Sequence, residues 1–113
     1  MLIYSRSPEP GRPTISELTP KQRAHLRSLA HHLKPILHVG GDGVTAAVVE
    51  SVREAFNTRE LLKVKVHESA PVDVDQAARE IARALDAAVA QTIGRTMVLY
   101  RPFPEDPEIR LPD

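Results

Sequence analysis

Lys34-Pro-Ile-Leu-His-Val-Gly-Gly-Asp-Gly-Val-Thr45 holds an apolar run, a glycine-rich tetrapeptide and the first residue of a helical pattern. Ile36 to Val39 read as a buried strand, bounded by Pro35 on one side and glycine on the other. Gly40, Gly41 and Gly43 lack a Cβ, so the backbone there can take left-handed dihedrals or lie close against another backbone. Val44, Val48, Val49, Val52 and Phe56 follow at helical spacing. The turn therefore delivers the chain into a helix whose first amides are unpaired and carry partial positive charge, a terminus that attracts anions. A strand, a G-x-x-G loop and a helix start also form the backbone clamp of KH-type RNA-binding modules. Taken alone, a G-x-x-G is more often a plain tight turn between strand and helix, so its surroundings have to decide.

The chain has 113 residues, which suits one domain. Its 42% hydrophobic content is almost all aliphatic, with no tryptophan, two tyrosines and two phenylalanines. The absence of cysteine removes disulfides, thiolate metal sites and cysteine nucleophiles. No apolar run approaches the roughly 18 residues of a membrane span, and a cytoplasmic location without membrane contact is expected. Fifteen basic and fifteen acidic residues cancel, which argues against binding by bulk charge. Their distribution is uneven. From Thr19 to Gly41 the chain carries Lys21, Arg23, Arg27 and Lys34 with no Asp or Glu, whereas Glu105, Asp106, Glu108 and Asp113 gather in the tail. Residues 19–101 hold twelve basic and nine acidic side chains, a net of +3.

Residues 1–18 contain Pro8, Pro10, Gly11 and Pro13 among polar residues and read as a flexible lead-in. Thr19-Pro20-Lys21-Gln22 offers a threonine cap, a proline at the first helical position and a glutamine placed to close a capping box. The first helix is expected to run to about Leu33, with Leu26, Leu29, Ala30 and Leu33 as its core stripe and His31-His32 pointing apart. Its charges would be an ordinary solvated face, except that opposite charges for i, i+4 pairing are missing. The second helix should run from Thr45 to Asn57 or Arg59. Leu61 to Val66 is the clearest strand, with Leu62, Val64 and Val66 on one face and Lys63 and Lys65 on the other, facing water or phosphate. Asp73 can cap a third helix with Gln76 at the capping-box position, and Val74, Ala77, Ala78, Ile81, Ala82 and Leu85 make its buried stripe. Ala88 to Ile93 and Thr96 to Arg101 are strand-like and separated by Gly94-Arg95, a two-residue hairpin with glycine first. Prolines 102, 104, 107 and 112 then end regular structure in an acidic tail over residues 103–113.

The resulting order is α-β-α-β-α-β-β: an α/β fold in which a compact four-stranded mixed sheet is packed by three helices, monomeric, with Leu29, Val48, Val64 and Ile81 sharing one core. Strands joined through helices should be parallel, and the hairpin adds an antiparallel pair.

Residues Thr19 to Pro35, the Gly40 to Gly43 loop, Glu60-Leu-Leu-Lys-Val-Lys65 and Ile93-Gly-Arg-Thr-Met-Val-Leu-Tyr-Arg-Pro102 together resemble the CRM-domain family (chloroplast RNA splicing and ribosome maturation), particularly its bacterial single-domain members. The resemblance covers about residues 18–102, with the domain itself placed at 19–102. It implies a fold similar to the C-terminal domain of translation initiation factor three and an RNA-binding role on ribosomal RNA precursors, assisting large ribosomal subunit assembly. It also implies an RNA contact through Gly40, Gly41, Asp42 and Gly43 and through the basic first helix with Lys21, Arg23, Arg27, His31 and Lys34, supplemented by Arg95 and Arg101 at the hairpin. Asp42 departs from the basic or neutral polar residue usual in such loops and should weaken a phosphate contact.

Two other readings belong to different classes. An enzyme would need a convergent set of His and carboxylate residues, and neither H-x-x-x-H nor H-E-x-x-H spacing occurs. No catalytic residue, metal or cofactor is therefore expected. His25 and His38 are read as surface or helix-packing residues that can also stack on bases. A protein-interaction module would use the basic helix to hold an acidic partner without RNA.

Overall fold

The computed structural model describes residues 18–113; all of the lead-in except Leu18 lies outside them. The elements follow the expected order: α1 (Pro20–Ala30), β1 (Pro35–Val39), α2 (Ala46–Ala55), β2 (Leu61–Val66), α3 (Val74–Leu85), β3 (Ala88–Ile93) and β4 (Thr96–Tyr100). The sheet order is β1-β2-β4-β3. β1 and β2 are parallel, and β4 lies antiparallel to both β2 and β3. The three strands that follow helices thus point the same way, and the hairpin inserts β4 between β2 and β3. Gly94 opens that hairpin at φ +58, a conformation that an L side chain rarely adopts.

Local signals set the helix starts. The Gln22 amide donates to Thr19 Oγ1 at 3.0 Å and the Thr19 amide to Gln22 Oε1 at 2.9 Å, completing the capping box. The third helix has only half a box. Asp73 accepts from the Gln76 amide, but the Gln76 side chain turns forward to Glu80.

The core is divided by the sheet, which corrects the expectation of one shared core. On one face α2 and α3 cover Val39, Leu62, Val64, Val66, Met97 and Leu99, with Ile81 fully buried and Val48 packed at the margin. On the other face Leu26 and Ala30 of α1 meet Leu61, Ala88, Ala90, Val98 and Tyr100, joined by Leu18. Leu29 and Leu33, expected in the stripe, are 41% and 37% exposed. The helix also stops at Ala30 rather than Leu33. The Ser28 hydroxyl bonds back to the His25 carbonyl, the His31 and Leu33 amides close short turns on Ser28 and Ala30, and Pro35 disfavours helical dihedrals at Lys34. A single short helix over the small residues Ala88 and Ala90 makes a narrow contact stripe, so Leu29 is left at its flank. His31 and His32 consequently sit in the turn after the helix, with rings 5.3 Å apart edge to face, rather than pointing apart.

The C-terminal segment is part of this second face. Glu60, 4% exposed, accepts the amides of Phe103, Glu108 and Ile109 at 2.7, 2.9 and 2.7 Å. Its own carbonyl accepts the Arg101 amide. These bonds fold the acidic tail back so that Ile109 and Leu111 pack against the α1-side core, and Gln22 Nε2 donates to the Pro112 carbonyl. A carboxylate satisfied by three amides resists release far more than a proline-rich sequence suggests.

Candidate nucleic-acid interface

Neither α1 nor any of the four strands carries an Asp or Glu, whereas Glu50, Glu54, Asp75 and Glu80 stand on α2 and α3. The charge asymmetry noted in the sequence is thereby converted into a difference between layers. Lys21, Arg23 and Arg27 are exposed on α1, and Lys34 is exposed in the turn that follows. Among the described residues the one ion pair joins Arg53 to Glu50 on α2, so these cations have no carboxylate partner.

The glycine loop stands at the C-terminal end of β1. The Gly43 amide donates to the Gly40 carbonyl at 2.9 Å, closing a tight turn. Only Gly43 needs to be glycine for the fold: its φ is +76, and a Cβ there would lie 3.2 Å from Pro71 Cγ. A Cβ on Gly40 would meet open space, and one on Gly41 would reach no closer than 3.8 Å, to Ser69 Oγ. The amides of Gly41 and Asp42 at the exposed tip donate to no described residue. Two free donors on a tip without side-chain bulk suit the close approach of an anionic backbone, and the exposed Asp42 carboxylate beside them opposes it.

The expected site residues fall into two groups. Arg95 belongs with the loop, because its carbonyl accepts the Val66 amide and Val66 is the partner of Val39, which precedes Gly40. Arg101 does not: its amide is held by Glu60 at the start of β2, the far end of the sheet. His31 caps α1, and Lys34 follows Leu33, whose carbonyl accepts Lys63 Nζ at 3.0 Å. That end of α1 and the glycine loop lie at opposite ends of β1, about 16 Å apart at 3.3 Å per residue, rather than side by side. Between them runs a sheet face that the sequence marked only as wet or phosphate-reaching. Lys65 pairs with His38 on β1 and Thr96 on β4, and Ile93 ends the row at 61% exposure. His67, which sequence reasoning passed over, follows β2 and donates its amide to the Val39 carbonyl at 2.8 Å. Glu60 was likewise missed as an anchor; a single acid entering an apolar strand was its only signal. Among the described residues no three His, Asp or Glu side chains converge as a metal site, and no helix is long and apolar enough to cross a membrane.

The profile of the CRS1 / YhbY (CRM) domain matches residues 18–101. The chain belongs to this family. It is 41% identical over 95 residues to a Bacillus subtilis protein named as a probable RNA-binding protein, YqeI, covering 84% of this chain and 99% of the relative. It is also 41% identical over 98 residues to an RNA-binding protein of Haemophilus influenzae, covering 87% and 98% of the two chains. The solution structure of a Staphylococcus aureus protein, described as a candidate RNA-binding protein, superposes with a TM-score of 0.73 at 36% identity and covers 84% of this chain and 99% of its own. The CRM-type fold expected from the sequence is thus the fold observed.

Proposed function

We propose that this protein binds RNA through the face of the sheet that α1 covers in part, acting as a monomer in the cytoplasm on ribosomal RNA precursors during large-subunit assembly. The observation that carries the RNA reading is the segregation of charge. Lys21, Arg23, Arg27 and Lys34, without an ion pair among the described residues, the strand lysines 63 and 65 and the free loop amides belong to a layer whose helix and strands have no carboxylate; the acids on that side lie in the tail, which packs at the Glu60 end of the sheet, away from the loop. Such a layer neutralises phosphates despite a net charge of zero, because screening confines each charge to its neighbourhood of about 10 Å. Relatives named as RNA-binding proteins support the same partner. The ribosomal assignment rests on the family resemblance. Relatives named for RNA binding support a protein that acts by binding rather than as an enzyme.

Salt dependence tests the reading. On single-stranded RNA each neutralised phosphate contributes about 0.7 to the slope of log K against log salt. Replacing Arg23 and Arg27 by alanine should flatten the slope by up to about 1.4. An unchanged slope in the folded variant moves the site elsewhere. Binding of acidic protein fractions in place of RNA favours the protein-interaction reading.

A further inference from the structure

We propose, resting on the RNA reading above, that His38 and His67 form a stacking platform for an unpaired base beside the glycine loop, so that the RNA is single-stranded where it crosses the open end of the sheet. The two rings lie 5.9 Å apart and tilted by 45°. Both residues are exposed, and neither belongs to either hydrophobic core. His38 is two residues before Gly40, and the His67 amide is bonded to Val39, so a base on these rings adjoins a phosphate at the loop tip.

Base recognition in single strands needs exposed rings or guanidinium planes. Guanidinium planes are plentiful in this chain, but exposed rings are few among the described residues. The chain has no tryptophan, and Phe56 and Tyr100 are buried in the two cores. Around the histidine pair the sheet supplies what a base and its backbone require. Lys65, the Cα partner of His38, stands in the same row, and Thr96 and the 61% exposed Ile93 extend it as a polar and then apolar shelf. Single-stranded RNA is the occupant that this complementarity favours: cations for phosphates, rings for bases, and no strand carboxylate to repel either. A duplex keeps its bases stacked on one another and would leave the rings unused. The second histidine pair, His31 and His32, lies at the other end of β1 with its rings edge to face and has no comparable amide-donating loop beside it.

The test uses the full chain with a single-stranded RNA of mixed sequence and the same strand paired into a duplex. The variants are His38→Ala/His67→Ala and His38→Phe/His67→Phe, with melting curves to show that each folds. The alanine pair should weaken single-strand binding about five- to a hundredfold with the salt slope unchanged and duplex binding unmoved, and the phenylalanine pair should restore it. Parent-like single-strand binding by the alanine pair overturns the platform. So does an equal loss on duplex and single strand, or a loss found with His31→Ala/His32→Ala instead. If the parent binds with a slope that depends on Arg23 and Arg27 while the alanine pair changes nothing, the platform alone falls. If the parent binds neither RNA, the functional reading falls and the platform with it.

Discussion

The two faces of the sheet are closed by different means. Over one, α2 and α3 lay a broad aliphatic layer in which Val52, Ile81 and Val64 are fully buried. Over the other, a single helix contributes Leu26 and Ala30, and the folded-back tail contributes Ile109 and Leu111. The first face carries mixed charge on its helices and is fully roofed; the second is roofed only over the rows around Leu61, Val98 and Tyr100, leaving His38, Lys65 and Ile93 open. The lesson is a division of labour. Hydrophobic burial is concentrated where no partner is received, and the helix whose charges are all cationic lies where apolar cover is thin.

A cavity under the two-helix layer should have the largest effect. Ile81→Ala should cost about 2–5 kcal/mol, as large-to-small changes at filled sites do. Leu29→Ala, by contrast, should stay within about 0.5 kcal/mol in chemical denaturation, because Leu29 is 41% exposed and belongs to neither core. Equal losses would mean that α1 packs as deeply as α3. Next in size is the tail anchor. Glu60→Gln keeps the shape but can no longer accept all three amides, setting an NH2 against an N–H at Phe103 or at Glu108 and Ile109. A loss of about 1–3 kcal/mol is expected, with amide exchange in residues 103–112 rising sharply while α3 stays protected. Unchanged protection in the tail would show that Ile109 and Leu111 hold it without the carboxylate.

Substitutions in the glycine loop should have smaller effects on stability. Gly43→Ala forces an L side chain to φ +76 against Pro71 and should destabilise the fold by about 1–2 kcal/mol. Gly41→Asp meets neither obstacle, so it should leave melting nearly unchanged while weakening RNA binding. Asp42→Lys should tighten binding and steepen its salt dependence, since it replaces a carboxylate beside the free amides with a cation. If both loop variants fold and bind like the parent at low salt, the loop is only a turn.

Much of this was legible in the sequence because local rules sufficed. Thr19 and Gln22 announced a capping box, Leu61 to Val66 alternated cleanly, and Gly94 marked the hairpin. What escaped depended on contacts distant in sequence. Leu29 satisfies the helical period as well as Leu26 does, and only the narrow contact with Ala88 and Ala90 separates them. Glu60 reads as a solvated acid until amides 43 to 49 residues away converge on it. The loop and the cations were visible as residue types. Their separation by the length of β1, and the His38–His67 pairing that bridges part of it, required the β1–β2 register.

Amide chemical-shift mapping with a short single-stranded RNA shows whether RNA lies on the half-roofed face. That placement requires Gly41, Asp42, Lys65, His67, Arg23 and Arg27 to move together on titration, while Arg79 and Arg83, on a helix that also carries Asp75 and Glu80, stay in place. A map centred on α3, with the loop and α1 unmoved, would contradict it.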